Sequence, residues 1–163
     1  MASKDIFDRL IADHEKHRAL IKAIEETSGD TPERRELFET FKIETKAHAA
    51  SEEVTLYATL MAEPETREYA RHAAADHHDI DEAIKKVEET DFGSTGWLAC
   101  FRALKETYLD HIKEEEETIF PDAKKDLGEA KAVELKDAYN AIKPEEIERQ
   151  EEGADDAIAD RIG

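Results

Sequence analysis

Apolar residues recur at steps of three and four along four stretches of the chain. In the first, Phe7, Leu10, Ile21 and Ile24 do so, with His14 and His17 in phase between them. The second carries Phe38, Phe41, Thr45, His48 and Glu52; the third carries Ala70, Ala73, His77, Ile80, Ile84 and Val87; the fourth carries Phe101, Leu104, Tyr108, His111 and Glu115. A period near 3.6 puts each set on one face of an α-helix. Turn residues separate the stretches: Ser28 to Pro32, Glu63-Pro64, and Phe92 to Gly96, where Ser94 or Thr95 can cap the next helix. The spacing predicts helices over about 4–27, 32–62, 65–90 and 96–120, the last closed or perturbed by Pro121. Short links between long helices make neighbours antiparallel, so the expected fold is all-α, an up-down four-helix bundle over residues 1–125. Residues 126–163 are expected to form a short C-terminal helical extension, about 129–142, and then an acidic tail that frays within a turn or two of Pro144.

Composition narrows the function. The 163 residues carry 42 acidic against 23 basic side chains, a formal charge of -19. That field repels phosphate backbones and anionic lipid, which argues against nucleic-acid and membrane-surface partners. It attracts cations only loosely, and an acidic run is usually a solvated face, so surface acid alone is no sign of a metal site. The single cysteine, Cys100, excludes an internal disulfide framework and any cysteine-built zinc or iron–sulfur site; it reads as a small core or boundary residue. No apolar run reaches the ~18 residues of a membrane span, and the start, MASKDIFDRL, lacks the features of a signal peptide, so the expected location is cytoplasmic.

An internal repeat singles out the polar seam residues. Shifted by 63 residues, ADHEKHRALIKAIEET (12–27) falls on ADHHDIDEAIKKVEET (75–90), with identities that include Asp13/Asp76, His14/His77 and Ile21/Ile84. The same shift carries HAASEEVTLY (48–57) onto HIKEEEETIF (111–120), matching His48 to His111, Glu52 to Glu115 and Glu53 to Glu116. One gapless shift across both segments implies two helical hairpins related by a pseudo-twofold. It also chooses between adjacent histidines: His77 matches His14 and lies on the apolar phase, whereas His78, like His72, is off phase and expected at the surface.

His48 and Glu52 are four apart, as are His111 and Glu115, so each pair stacks on one helix face. With one inward histidine from each remaining helix, the set is four imidazoles and two carboxylates. A lone seam histidine is more often a hydrogen-bonded core residue than a ligand. Here six polar groups occupy symmetry-matched seam positions with no Lys or Arg among them, and burying two unpaired glutamates costs on the order of several kcal/mol unless something compensates. Two cations bridged by Glu52 and Glu115 would compensate. Mixed nitrogen and oxygen ligation with open positions suits iron, with Zn or Mn as alternatives.

These motifs, DHxxxxxI on odd helices and HxxxEExxLY or HxxxEExxIF on even ones, resemble the hemerythrin-like, HHE cation-binding domain family over roughly residues 5–125. The resemblance implies an up-down four-helix bundle with a non-haem di-iron centre that binds oxygen or related small molecules, and it assigns His14, His48, Glu52, His77, His111 and Glu115 as metal ligands. In one respect the chain departs from the oxygen carriers of that family, which have a second histidine four before the third-helix ligand; Ala73 stands there. The remaining set resembles members linked to iron sensing or repair of iron centres, although the N-terminal cysteine-containing segment of the repair proteins is absent from this sequence. A ferritin-like centre would need glutamate three before histidine; Ile11, Thr45, Ala74 and Tyr108 occupy those positions instead.

Around the ligands, His17 is one turn beyond His14, opposite Ile80 in the repeat, and reads either as a further ligand or, preferably, as a hydrogen-bonding support. Tyr108, opposite Thr45, reads as a second support able to donate to a ligand carboxylate or as a core aromatic. Glu53 and Glu116 are expected just outside the ligands or in solvent. The expected function is a metal-binding protein with two iron ions that binds oxygen, nitric oxide or iron itself in sensing, buffering or repair; a di-iron oxidase or peroxidase is the alternative.

Overall fold

The computed structural model describes residues 3–162 in backbone and residues 3–153 in side chain. Helix α1 (Ile6–Glu25) starts where Asp5 accepts the Asp8 amide at 2.9 Å, and α2 (Pro32–Glu52) starts where Thr31 accepts the Arg34 amide at 3.1 Å with Pro32 in the first turn. Gly29, at φ 73°, makes the turn between them. A π-helical turn, Glu53–Tyr57, interrupts the second helix before it resumes as α3 (Ala58–Ala62). Then follow α4 (Arg67–Glu88) and α5 (Trp97–Glu114), a second π-helical turn at Glu115–Ile119, α6 (Phe120–Leu127) and α7 (Glu129–Ile162). Among the described residues there is no strand.

Packing gives the expected bundle. α1 lies against α2, α4 against α5, α1 against α5, and the α2 continuation against α4. Two differences from the sequence reading matter. Pro121 does not end the fourth helix: it lies at the second position of α6, directly after the π-helical turn, and the chain stays helical to Leu127. Nor does the C-terminal helix stop near residue 142: it runs through Pro144 to Ile162 and packs on both α1 and α2. A proline inside a helix removes one backbone bond. Here Ala132, Leu135, Tyr139, Lys143 and Glu146, all buried, tie the helix down on both sides of that defect.

The apolar interior falls into two clusters. One end holds Ile6, Phe7, Leu10, Leu56, Leu60, Ile119 and Phe120. The other holds Ile24, Phe38, Phe41, Ile84, Trp97, Phe101 and Leu104. Arg34 closes this second end: buried under the link residues, it donates to Thr27 Oγ1 at 2.9 Å, Thr27 O at 2.9 Å and Phe92 O at 2.7 Å, and stacks 4.5 Å over Trp97. Between the clusters runs a buried polar layer of His14, His17, His48, Glu52, His77, His111 and Glu115.

Candidate metal centre

The four helices bring all six expected ligand residues into that layer. Glu52 and Glu115 are fully buried, and the four histidines expose no more than 7% of their surface. Each glutamate sits where a regular helix passes into a π-helical turn. The widened turn rotates the chain beyond it, so that Tyr57 and Phe120 also face inward.

Each of these four imidazoles is held from behind by a carboxylate. Asp13 lies 2.9 Å from His48 Nδ1, and its repeat mate Asp76 lies 2.9 Å from His111 Nδ1. Glu116 lies 2.8 Å from His14 Nδ1, and its mate Glu53 lies 2.8 Å from His77 Nδ1. A carboxylate only accepts, so each Nδ1 carries a proton and each Nε2 faces inward, where a cation or a second proton can take its lone pair. There, His48 Nε2 is 3.4 Å and His77 Nε2 3.3 Å from the two oxygens of Glu52. His14 Nε2 is 3.3 Å and His111 Nε2 3.4 Å from Oε1 of Glu115. Each glutamate thus touches one histidine of each half. Donor atoms of His14, His48, Glu52 and Glu115 lie within 4.8 Å of one another, as do those of Glu52, His77 and His111.

Whether a cation fits can be read from the unmet groups. His14 Nε2, His48 Nε2, both oxygens of Glu52 and Glu115 Oε1 are buried without a hydrogen-bond partner. So many unmet polar atoms in one buried place call for a cation or for protons shared between imidazole and carboxylate. Two donors about 2.1 Å from one cation are about 3.0 Å apart at a right angle and about 3.4 Å apart at the tetrahedral angle. The gaps of 3.3–3.4 Å match that range, and they are too long for good hydrogen bonds. The residues present fit a cation-binding role.

Protons compete for the same positions. Burial opposes a charge on His14, but Glu115 and Glu116 outweigh it and lift its pKa to about 9. Burial likewise opposes His77, and Glu52 and Glu53 lift it to about 10. Burial pushes Glu52 up, yet His48 and His77 hold it well below the ordinary carboxylate range. A cation must therefore displace protons from these imidazoles.

The supporting residues differ in part from expectation. His17 stands beside His48, its Nδ1 2.5 Å from Tyr108 Oη, and burial keeps it well below its ordinary pKa. The tyrosine that donates to one of the two inward glutamates is Tyr57, at 2.5 Å from Glu115 Oε2, while Tyr108 serves His17. The repeat mate of Tyr57, Phe120, stacks on His14 instead. Tyr139 and Lys143 of α7 both donate to Asp13, Lys143 at 2.8 Å, and were not picked out from the sequence. His72 and His78 are exposed, and Cys100 is half-buried. A cavity of about 180 Å³ between α2 and α4 reaches His48, His77, His111 and Tyr108, walled by Thr45, Ile80 and Ile84.

A helical bundle whose mid-core layer of histidine and glutamate can hold a cation defines the class. The chain belongs to the hemerythrin HHE cation binding domain family, whose model matches residues 5–123. A crystal structure of a hemerythrin HHE cation binding domain-containing protein from Mycobacterium kansasii has a similar fold, with a TM-score of 0.78 at 23% identity, over 90% of this chain and 88% of that one. That span extends beyond the family-model residues into α7. No curated protein sequence matches the chain. Among the described residues, no helix is long and apolar enough to cross a membrane.

Proposed function

We propose that the chain holds two iron ions at His14, His48, Glu52, His77, His111 and Glu115 and binds a diatomic molecule, oxygen or nitric oxide, in sensing, buffering or repair of iron. The supporting observation is the pair of donor groups that share Glu52, with unmet nitrogens and oxygens turned inward. Iron in such a site supplies open coordination positions and a change of oxidation state. This chain's residues do the rest. Asp13, Glu116, Glu53 and Asp76 fix the imidazole rings, Tyr57 steadies Glu115, and α7 seals the side of Asp13. The cavity of about 180 Å³ falls short of the ~300 Å³ at which pockets for drug-sized ligands begin, which favours a small gas over an organic substrate.

The test is anaerobic loading of the metal-free protein with Fe²⁺, a metal count, and exposure to oxygen or nitric oxide. About two ions per chain and a stable adduct spectrum support the reading. Sustained consumption of peroxide would move it to the oxidase or peroxidase class, and retention of Zn²⁺ or Mn²⁺ with exclusion of Fe²⁺ would overturn the choice of iron.

A further inference from the structure

The two halves of the centre repeat the same donors in different surroundings. Under the 63-residue shift, Asp13–His48 corresponds to Asp76–His111, and Glu116–His14 corresponds to Glu53–His77. On the His14–His48 side, fixed cations meet both outer carboxylates. Arg9 Nη1 is 2.5 Å and Lys143 Nζ 2.8 Å from Asp13, and Arg18 Nη2 is 2.7 Å from Glu116. On the other side, Asp76 has only His72 besides His111, at 3.4 Å, and Glu53 has only His77. Among the described residues, neither pairs with Lys or Arg. The sequence explains the contrast. The shift carries Arg9 onto His72 and Arg18 onto Asp81, and Lys143 comes from α7, which packs on α1 and α2.

Resting on the paired-cation reading above, we infer that the two positions are unequal: the His77–His111 position takes the first divalent cation and the His14–His48 position the second. Three Lys or Arg charges pair with the outer carboxylates of one half and, among the described residues, none with those of the other. At an effective dielectric of about 20–40 and separations of about 8–10 Å, each is worth on the order of tenfold in affinity for a divalent ion after screening. An outer carboxylate already neutralised by Lys or Arg also leaves its imidazole a weaker donor. Access runs the same way. The cavity of about 180 Å³ reaches His48 as well as His77 and His111, but a second, of about 260 Å³, lined by His72, Asp76, Asp79, Asp110 and Glu114, opens against His111 alone of the four, and His14 is fully buried. Such an acidic mouth raises the local concentration of cations.

The test is a calorimetric titration of the metal-free full chain with Co²⁺ and with Zn²⁺. Two steps are expected, with affinities about tenfold or more apart. His111→Ala removes the tighter step and leaves the weaker, and His48→Ala does the reverse. His72→Arg rebuilds on Asp76 the pair that Arg9 makes on Asp13, and weakens the tighter step about tenfold; Arg18→Gln strengthens the weaker step by about as much. His72 and Arg18 both reach solvent, so neither change threatens the fold. Two ions taken up in one step that ignores both charge changes, or a tighter step lost in His48→Ala and kept in His111→Ala, overturns the ordering and leaves the paired-cation reading standing. A chain that takes up no ion overturns both.

Discussion

Raising the pH on the chelator-stripped protein should unfold it more easily, and metal should abolish the effect. In the metal-free protein His14 and His77 are held as imidazoliums, with pKa values of about 9 and about 10. Both are raised above the ordinary 6.5, so their stabilisation is complete below pH 6.5 and is lost as pH rises through 9 to 10. At about 1.4 kcal/mol per tenfold, the upper bounds are about 3 kcal/mol for His14 and about 5 kcal/mol for His77. Glu52 and Glu115 act on both rings, so the two do not add, and a joint loss of about 3 to 5 kcal/mol is expected. For a domain of this size that lowers Tm by roughly 6 to 20 °C between pH 6.5 and 10. His17 works at the acid end: burial keeps it neutral in the fold, so stability falls as pH drops below 6.5 and the unfolded chain takes up the proton. Metal-free stability therefore peaks near pH 6.5. Bound cations replace the imidazolium protons and flatten the alkaline limb. Thermal melts from pH 6 to 10, with chelator and with Zn²⁺, measure both curves. A metal-free Tm that stays level from pH 6.5 to 10 would refute the charged-histidine account of the layer.

Three further outcomes are expected. His77→Ala should lose about one of two ions by metal analysis while His78→Ala keeps both, because His78 points to solvent. Tyr57→Phe should cost about 1–2 kcal/mol in urea unfolding by freeing Glu115 Oε2, yet still bind metal, since phenylalanine already occupies the repeat-mate position at Phe120. Arg34→Leu should cost about 3 kcal/mol or more in the same assay, by removing three charged hydrogen bonds and the stack on Trp97, with the metal count unchanged.

The bundle was legible because four helices keep a clean apolar period, and the inward histidines and glutamates fall on it at repeated positions. The outer carboxylates were half visible. Asp13 and Asp76 appear in the repeat directly before His14 and His77, but each serves a histidine of a different helix, His48 and His111, and that pairing is a matter of three-dimensional packing. The sequence hides the extent of α7 for two reasons. Its buried stripe includes Lys143 and Glu146, which count as surface residues in any hydropathy pattern, and Pro144 reads as a stop. The π-helical turns leave no periodic trace in five residues; their mark is the inward rotation of Tyr57 and Phe120. Tyr108 was drawn toward the ligands by its seam position, yet its hydroxyl is taken by His17.

The polar layer at mid-bundle also sets how the protein opens. Leu10 and Ile24 belong to the same helix but to different apolar clusters, so amide hydrogens at the two ends of α1 are protected by separate cores. Stripped of metal, each end can fray on its own, and hydrogen exchange should separate the amides into two rates. Cations held at once by His14, His48, His77 and His111, as proposed, would pin four helices at their midpoints. The two rates should then merge into one on metal loading, with the whole bundle as the cooperative unit.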